Sequence, residues 1–223
     1  MCFSPEADLA VGTVAIAVGV DALRHVRAAR QIPLASIPLL LGLHQVTEAF
    51  VWWGLQGHVA HSVERVALWI YLLFALAALP PILTIAIGLV EQSAGRRKVI
   101  WAFACVATAV ATVLAIAMFR GPLGSEMRHH YIAYDTSALA DGGWLTALYV
   151  VATCGALLAS SYRDLALLGA LNLVVVPLLA WLTLSGFISL WCFWAAIMSI
   201  VIARHLRRVT NDPGRKIAVA VHS

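Results

Sequence analysis

The sequence predicts an all-α, polytopic membrane bundle of seven transmembrane helices, with the N-terminus outside and the C-terminus cytoplasmic. Three observations predict it. First, 62% of the 223 residues are hydrophobic and the mean hydropathy is +0.89, more apolar surface than a water-soluble domain of this size can keep behind a polar exterior. Second, the apolar residues fall in seven runs, each near the ~20 residues that a helix needs to cross about 30 Å of hydrocarbon. Third, the basic residues gather in alternate connections: Arg24, Arg27 and Arg30 after the first run, Arg96, Arg97 and Lys98 after the third, and Arg163 after the fifth. Arg204, Arg207, Arg208, Arg215 and Lys216 follow the last run, whereas the opposite connections hold only Arg65, Arg120 and Arg128. The positive-inside rule turns that asymmetry into the orientation given above. The net charge of +4 is thus a topology signal, and no nucleic-acid motif accompanies it.

The runs lie near 6–26, 32–56, 63–90, 98–119, 142–161, 164–184 and 187–207. The first has a short strictly apolar part, Leu9 to Val20, bracketed by Asp8 and Asp21. Its acidic start, Pro5-Glu6-Ala7-Asp8, lacks a positive n-region and a clear cleavage site, so it reads as a retained first span. Pro38 and Pro177 should bend the second and sixth helices, and Pro80-Pro81 should kink the third. Ala107, Ala111 and Ala115 in the fourth run, and Ala152, Ala156 and Ser160 in the fifth, form small-residue stripes that let helices approach closely in lipid. Trp52, Trp53, Trp69, Trp101, Trp144, Trp191 and Trp194 fall mostly toward helix ends and read as interfacial anchors. A long connection follows Met118-Phe-Arg-Gly-Pro, and its Ile132-Ala-Tyr-Asp run suits a small external strand or lid over the helix ends. Leu40-Leu-Gly-Leu-His-Gln45 weakly echoes Leu167-Leu-Gly-Ala-Leu-Asn172, as in a chain built from two three-helix units. Residues 1–208 are read as the transmembrane domain and 209–223 as a short basic cytoplasmic tail.

The second run contains the chemistry. Leu41-Gly-Leu-His-Gln-Val-Thr-Glu-Ala-Phe-Val-Trp-Trp-Gly54 places His44, Gln45 and Glu48 where hydrocarbon should be, and intramembrane ionisable groups are costly enough to be functional candidates. His44 and Glu48 are four apart and share one helical face, with Gln45 beside them and Trp52 a turn further on. A lone carboxyl at that depth needs a cation, donors or water. Two readings stay open: a satisfied interhelical hydrogen bond, for instance from Asn172, or a proton or small-ligand site in which Glu48 takes the charge and His44 tunes or relays it. The ligand- or proton-binding candidates are Glu48, His44, Gln45, Trp52 and Asn172, around a polar pocket opening outward. His58, His61, His129, His130 and Asp135 gather on the outer side and are candidate metal ligands, although no known ligand spacing connects them. Cys2 and Cys192 both fall toward the oxidising side and are candidates for a disulfide.

The opening Met1-Cys-Phe-Ser4, Val-Gly-Val-Asp-Ala-Leu-Arg24, Leu-His-Gln-Val-Thr-Glu-Ala-Phe-Val-Trp52 and Leu-Trp-Cys-Phe-Trp194 together resemble an uncharacterised family of bacterial integral membrane proteins, a domain of unknown function. The resemblance runs from Met1 to about Arg208. It implies a seven-helix protein of the bacterial inner membrane and brings no catalytic residue, cofactor or substrate with it. A retinal protein is excluded, because the only lysines are Lys98 and Lys216 and neither lies in the last span. A haem cytochrome lacks paired axial histidines on core helices, and a zinc hydrolase of the ceramidase type lacks the ligand count. Three functions remain: binding or transport of a small polar molecule or proton-coupled ion, a metal-dependent membrane hydrolase or redox enzyme, and a non-catalytic scaffold or sensor.

Overall fold

The computed structural model describes residues 4–128, 131–136, 143–182 and 187–211. Its helices are α1 (Pro5–Arg24), α2 (Ile32–Leu55), α3 (His61–Val90), α4 (Ala94–Arg120), α5 (Gly143–Ala159), α6 (Arg163–Leu182) and α7 (Phe187–Asn211). Seven helices thus form over nearly the same residues as the seven apolar runs. A hairpin, β1 (Leu123–Arg128) and β2 (Tyr131–Thr136), lies between α4 and α5, antiparallel, with Leu123 opposite Thr136 and Arg128 opposite Tyr131. It occupies the stretch where the sequence suggested an external strand or lid.

Four helical stretches among the described residues are long and apolar enough to cross a membrane: Ala29–Leu55, His61–Val90, Ala94–Arg120 and Ser189–Arg208. They fit a membrane-embedded chain, and the bundle's outer surface agrees. Val66, Phe119, Leu167 and Val174 are exposed, and Trp181 is 82% exposed, which is costly against water and unremarkable against lipid tails. The expected count of seven spans is not established by length and composition. Glu6, Asp8, Asp21 and Arg24 interrupt α1, and α5 is apolar but only 17 residues long.

The tightest packing joins α1 to α2. The buried face of α1 reads Asp8, Gly12, Ala15, Gly19, Ala22, a stripe of small residues at helical spacing. A Cβ on Gly42 of α2 would lie 2.6 Å from the Ile16 backbone nitrogen and 2.7 Å from the Gly12 carbonyl oxygen, and one on Gly19 would meet the Leu39 backbone. Backbone cannot step aside as a side chain can. Of the expected stripes, Ala107, Ala111, Ala152, Ala156 and Ser160 are buried and Ala115 is half-buried.

In α3 the Pro80-Pro81 pair is preceded by a π-turn at Phe74–Ala78, where the Leu79 N–H bonds the Phe74 carbonyl five residues back. That shift takes the usual donor from Ala75, and the Tyr149 hydroxyl of α5 donates to its carbonyl instead, at 2.7 Å. The freed backbone oxygen is thus satisfied by a neighbouring helix.

The two ends of the bundle differ. At the end carrying most of the basic residues, Arg207 pairs with Asp21 at 2.6 Å, and Asp164 pairs with His205 and Arg208. Glu91, just past α3, accepts from Ser93 N–H, Ser161 N–H and the Ser161 hydroxyl at 2.9, 2.8 and 2.7 Å. Arg96 caps the end of α5 by donating to the Ala159 and Ser160 carbonyls. At the opposite end Ile132 and Tyr134 of the hairpin are buried in a core with Trp52, Tyr71, Met118, Tyr149 and Cys192.

Candidate functional site

Helix α2 turns one stripe inward: Leu41, His44, Gln45, Glu48 and Trp52 are all buried, because spacings of three and four stack side chains on one face. The glycine contact with α1 brings Asp8 onto this stripe, and the Gln45 Nε2–H donates to Asp8 Oδ1 at 3.2 Å. On the other side the Tyr134 hydroxyl, projected from β2, donates to Glu48 Oε1 at 3.1 Å. Tyr71 of α3 and Ser189 of α7 face the same carboxyl. Asp8, Gln45 and Glu48 each have 0% exposure. Five elements, α1, α2, α3, α7 and β2, therefore converge on two buried acids, with the Gln45 amide bonded to Asp8 and the Tyr134 hydroxyl to Glu48.

Aromatic rings wall the cluster. The His44 imidazole stacks on Tyr71, with centroids 4.0 Å apart and planes 7° from parallel, and Phe74 of the π-turn lies 4.8 Å away. Tyr71 in turn stacks on Tyr134 at 5.0 Å. His44 is thus linked to the Glu48 side of the site through a ring stack, and it makes no hydrogen bond to that carboxyl.

Five polar atoms on this one face have no hydrogen-bond partner on the protein among the described residues: His44 Nδ1 and Nε2, Gln45 Oε1, Glu48 Oε2 and Trp52 Nε1. Leaving a buried donor or acceptor unsatisfied costs about 1–3 kcal/mol each, and buried polar atoms are nearly always paired with protein or with water. Their concentration on a single stripe distinguishes α2 from the other helices. The ion pairs among the described residues lie elsewhere, and none of the described cationic side chains pairs with Glu48.

Several sequence candidates fall outside this constellation. Asn172 does not reach Glu48: its amide nitrogen donates to the Leu168 carbonyl and its Oδ1 accepts from Trp194 Nε1–H at 3.1 Å, joining α6 to α7. Trp52 is 3% exposed and so is a wall of the site rather than an interfacial anchor. Among the described residues no opening reaches the carboxyl: Tyr134 covers Glu48, which has no exposed surface. His58 and Asp135 are exposed, and His61 pairs with Glu64 at 2.8 Å. Glu64 also accepts from the Ser125 hydroxyl at 3.4 Å, which fastens the hairpin to α3. His129, His130 and Cys2 lie outside the described residues, and Cys192 is a buried free thiol. Among the described residues no group of three or more His, Cys, Asp or Glu is placed to hold a metal ion.

Asp8, Tyr71 and Ser189 join the site without having been singled out in the sequence. Asp8 carried a signal, since it heads the small-residue stripe of α1 in register with Gly12 and Gly19, but an acid in a first helical turn reads equally as a helix-dipole partner. Tyr71 and Ser189 carried none, for nothing along the chain connects them to Glu48.

Fold and site together define a helical, membrane-type bundle with a sealed acidic cluster near one end. A family model covers residues 1–216, and the chain belongs to that family, DUF6629, a family of unknown function. No curated protein and no solved structure matches the chain.

Proposed function

We propose that the protein is a seven-span integral protein of the bacterial inner membrane, N-terminus outside and C-terminus cytoplasmic, that binds a small polar guest or a proton at Glu48 and passes it toward the outer face. The observation that carries this reading is the row of unpartnered polar atoms on α2 beside the Asp8–Gln45–Glu48 cluster. A scaffold fixes helix register with closed hydrogen-bond pairs, whereas open valences are what a bound guest completes. Apolar helices and a surface of exposed Val, Leu and Trp support the membrane setting. The sealed site requires a moving part, and the hairpin fits that role. It is held over the cluster by the burial of Ile132 and Tyr134 and by hydrogen bonds from Tyr134 to Glu48 and from Ser125 to Glu64, contacts that can part without unfolding a helix.

The test is proton flux in proteoliposomes carrying an internal pH dye under an imposed pH gradient. Flux above that of empty vesicles, reduced to their level by Glu48→Gln, is the expected result. Equal flux from empty vesicles, parent and Glu48→Gln would leave a scaffold.

A further inference from the structure

The oxygen atoms of the cluster restrict what the guest can be. Glu48 Oε1 is occupied by the Tyr134 hydroxyl, and Asp8 Oδ1 by the Gln45 amide. What remains on α2 is single oxygens, Glu48 Oε2 and Gln45 Oε1, both fully buried and without a hydrogen-bond partner among the described residues, with the Ser189 and Tyr71 hydroxyls beside Glu48. Oxygen donors alone select hard cations. Ca²⁺ takes six to eight oxygens, usually with bidentate carboxylates, and both acids here already spend an oxygen on a donor. Mg²⁺ sheds its waters reluctantly, and a site with no exposed surface has little room for them. A small monovalent ion with few ligands remains.

We propose that Glu48 Oε2 and Gln45 Oε1, with Ser189 and Asp8 alongside, form a site for a dehydrated Na⁺ ion. The ion takes the place of a proton: Glu48–COOH and Na⁺ give Glu48–COO⁻·Na⁺ and H⁺, so that charge is conserved and one cation excludes the other. This rests on the reading of Glu48 as a guest site, and supplies the chemical class of the guest. The Tyr134 hydroxyl stays on the second oxygen in both states. Trp52 and the His44–Tyr71 stack exclude water from the exchange.

Dicyclohexylcarbodiimide, a lipid-soluble reagent that modifies protonated carboxyls in apolar surroundings, reads the exchange directly. The purified full chain in detergent is treated in NaCl, KCl, CaCl₂ or choline chloride at equal ionic strength, and modification of Glu48 is followed by peptide mass spectrometry. At a Na⁺ concentration ten times its dissociation constant, labelling of Glu48 should slow about tenfold, with K⁺, Ca²⁺ and choline leaving the rate unchanged. Gln45→Leu should still be labelled and lose the protection. Thermal unfolding of the parent supplies a second reading that needs no variant: the midpoint should rise with NaCl and not with choline chloride. Labelling that is equally fast in all four salts, or slowed as much by K⁺ or Ca²⁺, overturns the Na⁺ site. If flux in proteoliposomes still depends on Glu48, the broader reading stands and only the ion's identity is lost.

Discussion

His44 is buried at 3% exposure with neither ring nitrogen hydrogen-bonded among the described residues, yet its ring is well used, stacked on Tyr71. Packing alone would be served as well by a benzene ring. His44→Phe keeps the stack and removes two unsatisfied atoms, so the variant should be at least as stable as the parent, by up to about 3 kcal/mol. Thermal unfolding in detergent checks this, and a clear loss of stability would mean that the imidazole makes bonds the structure does not show. At this scale the sequence was partly legible. A polar residue within an apolar run is conspicuous, so His44, Gln45 and Glu48 stand out unaided. Their partners do not, because Tyr71 and Ser189 are ordinary residues on other helices and Asp8 sits where helices commonly place an acid.

Among the elements, the α1–α2 pair sets the position of Asp8, and glycine sets the pair. Gly19→Ala would push a methyl against the Leu39 backbone, and overpacking of this kind costs about 1–3 kcal/mol. Gly95, near the start of α4, has nothing within 4 Å of an added Cβ, and Gly95→Ala should stabilise by about 0.5–1 kcal/mol. Opposite signs for one chemical change, measured by thermal unfolding in detergent, test the packing account. Destabilisation of both variants to the same extent would count against it. Helix extents were legible because long apolar runs end at charged connections. The glycine contact was less so, since α1 reads as a weak span and only its face periodicity shows what it packs on. The π-turn was not legible: Pro80-Pro81 announced a distortion, but its form depends on Tyr149 arriving from another helix to take the Ala75 carbonyl.

For the whole molecule, the two ends carry different polar clusters. Glu91 staples the basic end. Burial alone would raise its carboxyl, but the Ser161 N–H and hydroxyl, the Ser93 N–H and the Ser160 hydroxyl outweigh that and hold it below the usual carboxylate value. A folded value below the unfolded one gives stability that is complete above the unfolded value of about 4.3. That stability is lost as pH falls through the lowered folded value. Acidification below about pH 4 should therefore weaken the parent more than Glu91→Gln, as read from unfolding midpoints across pH, and parallel pH curves would remove Glu91 from this role. The opposite end holds the sealed acids under the hairpin, and the central claim is that the open valences of α2 exist to hold a guest. An experimental density map of the full chain in lipid nanodiscs with Na⁺ present, at a resolution that shows ordered waters and ions, tests this most directly. The account predicts non-protein density within coordination distance of Glu48 Oε2 and Gln45 Oε1. A dry site, with those two oxygens bonded to neighbouring side chains, would contradict it.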